Sequence, residues 1–278
     1  TVQGFSRLTK EEKINWLTEN FLADNPNAST ILKQYWNDDK KLQQLHDEFI
    51  ENTISNYYLP LGIAPNFVIN NKSFAIPMAI EESSVVAAAS KAAKFWMSRG
   101  GFKARILGTE KIGQVHFTYT GDTKALLSFF NRVKDEILED LEPHTQSMKS
   151  RGGGLTDLIL VDKTDSLEHY YQLHATFETL DAMGANFINT CLEQIAESWQ
   201  RLYNAEDSFK TTNAEMVVVM SILSNYVPGC VVRAEVSCPV SELSEADGID
   251  PEVFANKFVQ AVRIAEVEPY RAVTHNKG

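Results

Sequence analysis

Gln114-Val115-His116-Phe117-Thr118-Tyr119-Thr120-Gly121-Asp122 is the stretch on which the fold turns. Polar and apolar residues alternate from Gln114 to Thr120, the period of a half-buried strand. Gly121-Asp122 makes a turn, and from Lys124 to Leu141 the apolar spacing becomes that of an amphipathic helix. The same switch recurs downstream. Leu155–Val161 and Tyr170–Phe177 read as strands, about Asp181 to Trp199 as a helix, and Met216–Leu223 as a closing strand. This β-α-β-β-α-β order is that of a ferredoxin-like domain. A strand over Val231–Val236 and a helix over Pro251–Ala265 follow, so the domain reads as an insertion over 109–221, between 1–108 and 222–278 of a larger one. The expected class is α+β, with the larger domain mostly helical around a central buried helix.

That central helix is legible upstream. Thr9-Lys10-Glu11-Glu12 is a capping-box pattern, opening a first helix through Phe21. Short helices are expected over Thr30–Tyr35 and from about Lys40 to Ile54, the latter with Leu42, Leu45, Phe49 and Ile50 on one stripe. Two apolar runs around Asn70-Asn71-Lys72 predict a hairpin. Val85 to Met97 is a run of good helix formers, stopped by Gly100-Gly101 and apolar nearly all round, hence expected to be buried. Glu81 and Glu82 fall where the hairpin feeds this helix. Adjacent helical residues point about 100° apart, so the pair is no facing dyad and at most one serves a cleft. A carboxylate partly desolvated at such a helix mouth suits proton transfer. Equally, acids are common in first helical turns because they complement the dipole, and composition does not separate the two.

The chain has 278 residues, 44% hydrophobic and 23% charged, enough for one large or two moderate globular domains. A net charge of −11 argues against a nucleic-acid or anionic-membrane surface. No apolar run approaches the roughly 20 residues of a membrane span, and no signal peptide follows Thr1, so a cytoplasmic protein is expected. Cys191, Cys230 and Cys238 are scattered without metal-ligand spacing and read as reduced packing thiols; no metal is expected. His46, His116, His144, His169 and His174 read as structural or surface residues. Neither Gly-x-Gly-x-x-Gly nor a Walker loop is present. Two segments nevertheless suit phosphates. Arg151-Gly152-Gly153-Gly154 can form a concavity of backbone N–H groups or be a plain connector. Asp181-Ala182-Met183-Gly184-Ala185-Asn186 opens a helix whose free N–H groups attract an anion, or is an ordinary Asp cap with Gly184 for close packing.

Four segments in order carry a family resemblance: Glu51-Asn52-Thr53-Ile54, Pro77 through Ser90, Asp181 through Asn186, and Thr274-His275-Asn276-Lys277-Gly278. Over nearly its whole length the chain resembles the 3-hydroxy-3-methylglutaryl-CoA (HMG-CoA) reductases, in their bacterial class II form. The resemblance implies NAD(P)H-dependent reduction of HMG-CoA to mevalonate and CoA, or the reverse oxidation, in two hydride transfers. It implies Glu82 as general acid and Lys277 as the cation that polarises the reacting carbonyl. Ser84, Arg271 and Asn225 then bind substrate; Arg271 can fork onto a carboxylate. Asp181, Met183, Gly184 and Asn186 belong to the dinucleotide site on the inserted domain. Thr145 stands at the spacing where NADH-using relatives carry an acid. With His144, Lys149 and Arg151 nearby, the charge favours NADP(H) over NAD(H). Glu51 to Ser55 matches a dimer-interface segment, with Ser55 where the family carries Gly, and implies a homodimer with its active site at the subunit interface. Two further family residues, an Asp and a His, fall beyond Lys277, so a polypeptide ending at Gly278 is expected to bind dinucleotide without making mevalonate. The competing expectation is a non-catalytic CoA-binding or dimerisation module.

Overall fold

The computed structural model describes residues 2–243 and 249–277, with the side chains of Asn276 and Lys277 outside that description. Backbone contacts divide the chain into two compact units: Lys103–Glu235, and Thr1–Phe102 together with Val236–Gly278.

The second of these begins with α1 (Lys10–Phe21), α2 (Ala28–Gln34) and α3 (Lys40–Asp47). The predicted capping box is formed: the Thr9 hydroxyl accepts from the Glu12 N–H, and the Glu12 carboxylate accepts from the Thr9 N–H at 2.7 Å. Helix α3 stops at Asp47 rather than running to Ile54. Short helices are held by packing more than by propensity, and the apolar stripe of α3 is exposed at Leu42, Leu45, Phe49 and Ile50. The chain instead turns through Asn52 at φ 58°, and the Thr53 hydroxyl donates to the carbonyls of Ile50 and Asp47. Ser55 is outside the left-handed region and donates to the Leu32 carbonyl at 2.6 Å, so a serine fits there.

Strands β1 (Leu61–Ile69) and β2 (Lys72–Ala79) form the expected antiparallel hairpin. Asn70 and Asn71 both take left-handed φ, 48° and 64°, as a two-residue turn of matching twist requires. Helix α4 (Val85–Met97) begins and ends as predicted. Gly101 terminates it at φ 70°, donating its N–H to the Trp96 carbonyl; a Cβ there would lie 2.4 Å from the Val68 oxygen. The expected burial of α4 is not found. Only Ala93 is buried, while Ala87, Ala88 and Ala92 are exposed. One side lies on β1, close enough that a Cβ on Gly62 would meet Val86 at 3.2 Å. No element among the described residues covers the other sides.

The compact unit Lys103–Glu235 contains β3 (Lys103–Tyr119), α5 (Thr123–Lys149), β4 (Gly154–Asp162), β5 (Tyr170–Glu178), α6 (Ala185–Ala205), the short α7 (Asp207–Lys210), β6 (Met216–Leu223) and β7 (Cys230–Glu235). The sheet order is β4-β5-β3-β6, every pairing antiparallel, and β7 pairs with the first part of β3. Alternation decides the faces. Val115, Phe117 and Tyr119 of β3 and Tyr171, Leu173, Ala175 and Phe177 of β5 are buried in one core with the apolar stripes of α5 and α6. Its centre is Trp199, with Phe129 at 5.2 Å and Phe117 at 5.5 Å between ring centroids. The chain returns to the other unit through α8 (Pro251–Val267) and α9 (Pro269–Lys277). Mixed helix and sheet place the protein in the α+β class.

The intervening β5 positions face the other side of the sheet. There the His116 Nδ1 lies 2.6 Å from the Tyr170 hydroxyl, and partial burial pushes the pKa of both His116 and His174 down. The unfolded chain therefore binds these protons first. Stability should be full above about pH 6.5, fall as pH drops through the interval down to the depressed folded values, and then level off. Urea midpoints measured at closely spaced pH should show this step. It should shrink in His116→Gln, and an unchanged step would assign it to other groups.

Candidate functional site

In the unit of Thr1–Phe102 and Val236–Gly278, the segment between β2 and α4 bends around a cleft of about 300 Å³. Pro60, Gly62 and Met78 wall it, and Glu81, Glu82 and Ser84 supply its polar lining. The structure thus brings Glu82 and Ser84 together. Ser84 is the N-cap of α4 in the left-handed region, at φ 73°, and its carbonyl accepts the first helical bond from Ala88. A non-glycine residue held there stores strain, a common feature of functional loops. The desolvation expected at this helix mouth is absent, since both glutamates are exposed along with the helix behind them.

Arg271 stands on α9, its side chain exposed and its backbone N–H donating to the Glu268 carboxylate at 2.6 Å. It is not among the residues lining the Glu82 cleft. Lys277 ends the same helix, but its side chain lies outside the described residues. Asn225 is exposed in the connection between β6 and β7, in the other unit.

The dinucleotide candidates lie within Lys103–Glu235. Gly184, rather than Asp181, is the N-cap of α6, at φ 79°, and no side chain among the described residues caps it. The carbonyl of Gly184 accepts from Ile188, which leaves the amides of 185–187 at the positive end of a 21-residue helix. Asp181, Met183 and Asn186 are exposed around that end, Met183 by 73%. This donor set fits a pyrophosphate. The loop is built by residues that the sequence did not flag. Thr179 is fully buried and donates its hydroxyl to the Ala182 carbonyl at 2.8 Å. The Glu178 carboxylate accepts from the Thr109 hydroxyl and from the Leu180 N–H, and these bonds hold it below the usual carboxylate range. A Glu-Thr pair ending a strand carries no spacing signal, so only the fold exposes its role. A Cβ on Gly184 would lie 2.5 Å from the Thr179 Cγ2 at a φ that L-residues avoid. Gly184→Ala should therefore destabilise the unit by about 1–3 kcal/mol. Chemical denaturation measures this, and a wild-type midpoint would show that the loop relaxes.

Two further candidate segments have other uses in this structure. The glycines of 152–154 do not form an anion cradle. The N–H groups of Gly152 and Gly153 donate to the Lys149 and Met148 carbonyls and close the C-terminus of α5, while Gly154 enters β4 opposite Glu178. A helix C-terminus repels an anion. Thr145, in turn, is turned into the core. It is 1% exposed, on the same stripe as the buried Leu141 and Met148, and its hydroxyl donates to the Leu141 and Glu142 carbonyls of its own helix. Of the neighbouring bases, Lys149 is paired with Glu142, and Arg151 is exposed with its Nε bonded to the Ser147 carbonyl. Among the described residues no group of three or more His, Cys, Asp and Glu is placed to hold a metal ion.

Mixed helix and sheet, the strained helix mouth with its acids in one unit and the uncapped α6 terminus in the other define a two-unit α+β protein. The family model of hydroxymethylglutaryl-coenzyme A reductase matches residues 10–278, and the chain belongs to that family. It is similar to the 3-hydroxy-3-methylglutaryl-coenzyme A reductase of Archaeoglobus fulgidus, 32% identical over 277 residues, which span 100% of this chain and 58% of that protein. The probable 3-hydroxy-3-methylglutaryl-coenzyme A reductase of Borreliella burgdorferi is 31% identical over 242 residues, spanning 84% of this chain and 51% of that protein. A class II 3-hydroxy-3-methylglutaryl-CoA reductase from Streptococcus pneumoniae, solved bound to NADPH in open conformations, is 28% identical, with a TM-score of 0.72 over 100% of this chain and 70% of that one. The chain thus spans little more than half the length of these curated relatives.

Proposed function

We propose that this chain forms the substrate- and dinucleotide-binding part of a class II HMG-CoA reductase, reducing HMG-CoA to mevalonate and CoA with NADPH as the preferred cofactor. The observation that carries the reading is the cleft at the mouth of α4, where Glu82 and Ser84, the residues that the family resemblance marks, line one surface. Glu82 is the general acid: it gives a proton to the carbonyl oxygen as the carbon is reduced. Lys277 stabilises the same oxygen as negative charge develops. Ser84 and Arg271 hold the free carboxylate of the glutaryl group, and Asn225 orients the reacting end. The amides at the start of α6, with Gly184 permitting close approach and Asp181, Met183 and Asn186 flanking, would hold the dinucleotide pyrophosphate. When bound, the dinucleotide supplies hydride.

On this reading, the unit with sheet order β4-β5-β3-β6 is a ferredoxin-like dinucleotide domain inserted between 1–108 and 222–278. The preference for NADPH rests on the exposed Arg151 and on the NADPH-bound relative. The turn 51–55, flanked by the exposed Phe49, Ile50 and Tyr57, is the homodimer contact. No helix among the described residues is long and apolar enough to cross a membrane, in keeping with a cytoplasmic enzyme. The test, on the full-length protein, is loss of reduced-nicotinamide absorbance with HMG-CoA, in parallel with NADPH and NADH. Binding of dinucleotide without turnover would favour the non-catalytic module instead. A higher kcat/KM with NADH would overturn the cofactor preference.

A further inference from the structure

Cys230 opens β7, and its partner across the sheet is Thr109 of β3. Lys111 stands two residues along β3, on the same face as Thr109. Its Nζ lies 2.7 Å from the Cys230 Sγ, although 119 residues separate the two in sequence. Sulfur is a larger acceptor than oxygen, and 2.7 Å is already at the short limit for an N–H···O bond. The amine reaches the Thr109 carbonyl only at 3.5 Å, so the sulfur is its nearer neighbour. Both side chains are half-buried. Cys191, by contrast, is fully buried, and burial pushes its thiol up to about 12. Cys230 thus has a polar neighbour that its spacing in the sequence does not announce.

We propose that Lys111 and Cys230 are a redox switch, joined under peroxide by one oxygen atom bridging Nζ and Sγ. The spacing suits an inserted atom and is too long for a direct S–N bond. In the first step the thiolate sulfur attacks a peroxide; its O–O bond breaks, one oxygen stays on sulfur as sulfenic acid, and the other leaves in water. A second peroxide then accepts two electrons as the N–O bond forms between the amine and the sulfenic oxygen, and both its oxygens leave in water. One thiol, one ammonium and two peroxides give the bridge, three waters and a proton, with sulfur and nitrogen each losing two electrons. Two equivalents of a dithiol return the thiol, the amine and one water. The bridge ties the first residue of β7 to β3 and so fixes the end of the connection between β6 and β7. None of this depends on the reductase reading.

The test treats the reduced chain with hydrogen peroxide and maps its peptides by mass. The Lys111 and Cys230 peptides should appear joined, heavier than their sum by one oxygen and lighter by two hydrogens, and dithiothreitol should separate them. The joined species should be lost in both Lys111→Arg and Cys230→Ser, each checked for folding by circular dichroism. A linked pair lacking the oxygen would show a direct S–N bond and overturn the bridge. So would oxidation of Cys230 to sulfinic and sulfonic acid at equal rates in wild type and Lys111→Arg, or no modification of Cys230 at all.

Discussion

On the proposed function, replacing Glu82 by Gln in the full-length protein is expected to lower kcat for HMG-CoA reduction by at least about 10²-fold, the lower end for loss of a general acid. The amide keeps the size and hydrogen-bonding reach of the carboxyl group but has no proton to give at neutral pH. The fold should survive, because Glu82 is exposed at the end of a loop, where substitutions cost within about 0.5 kcal/mol. Dinucleotide binding should also be unchanged, since the segment assigned to it lies in the other compact unit. Glu81→Gln is the control. Both glutamates line the cleft, although at most one was expected to serve it, and the family resemblance marks only Glu82, so Glu81→Gln is expected to stay active. Steady-state kinetics on both variants decides the matter: a dead Glu81→Gln beside an active Glu82→Gln would move the acid to Glu81.

The largest effect on stability is expected at Trp199. Its side chain is fully buried among Phe117, Phe129 and Phe130, and its Nε1 has no hydrogen-bond partner among the described residues. Trp199→Ala leaves a cavity that the surrounding rings fill only in part, at about 3–5 kcal/mol. Single domains are held by about 5–15 kcal/mol, so this removes a large share. Trp199→Phe should cost much less than Ala. It shrinks the ring but also removes a polar N–H buried without a partner, whose desolvation alone costs about 1–3 kcal/mol. Equilibrium urea unfolding of the three proteins tests the order. An alanine variant losing under about 1 kcal/mol would mean that the core closes over the gap.

Much of the fold was legible because it rests on interactions between near neighbours. The Thr9–Glu12 box, the left-handed Asn70-Asn71 turn, the stop at Gly100-Gly101 and the change of period at Gly121-Asp122 each depend on residues within about one helical turn or strand pair. The inward direction of Thr145 was legible too, had the helical phase of Leu141 and Met148 been weighed beside its distance from the glycines. So was the identity of the segments that mark the family, since these are runs of adjacent residues.

The rest belongs to tertiary structure. Whether α4 is buried depends on what lies across it, which its own composition does not state, and Ala87, Ala88 and Ala92 are left exposed. The amides of Gly152 and Gly153 look free in sequence, but the end of α5 claims them, because a helix terminus must satisfy its carbonyls before any ligand is considered. Glu178 and Thr179 acquire their role only because β5 ends beside Thr109 and Gly154. Lys111 meets Cys230 only through the register of β3 against β7. Local chemistry along the chain determined the elements and the family. Strand register and the competition for buried hydrogen bonds decided which side chains meet, because both are settled between residues that the sequence keeps far apart.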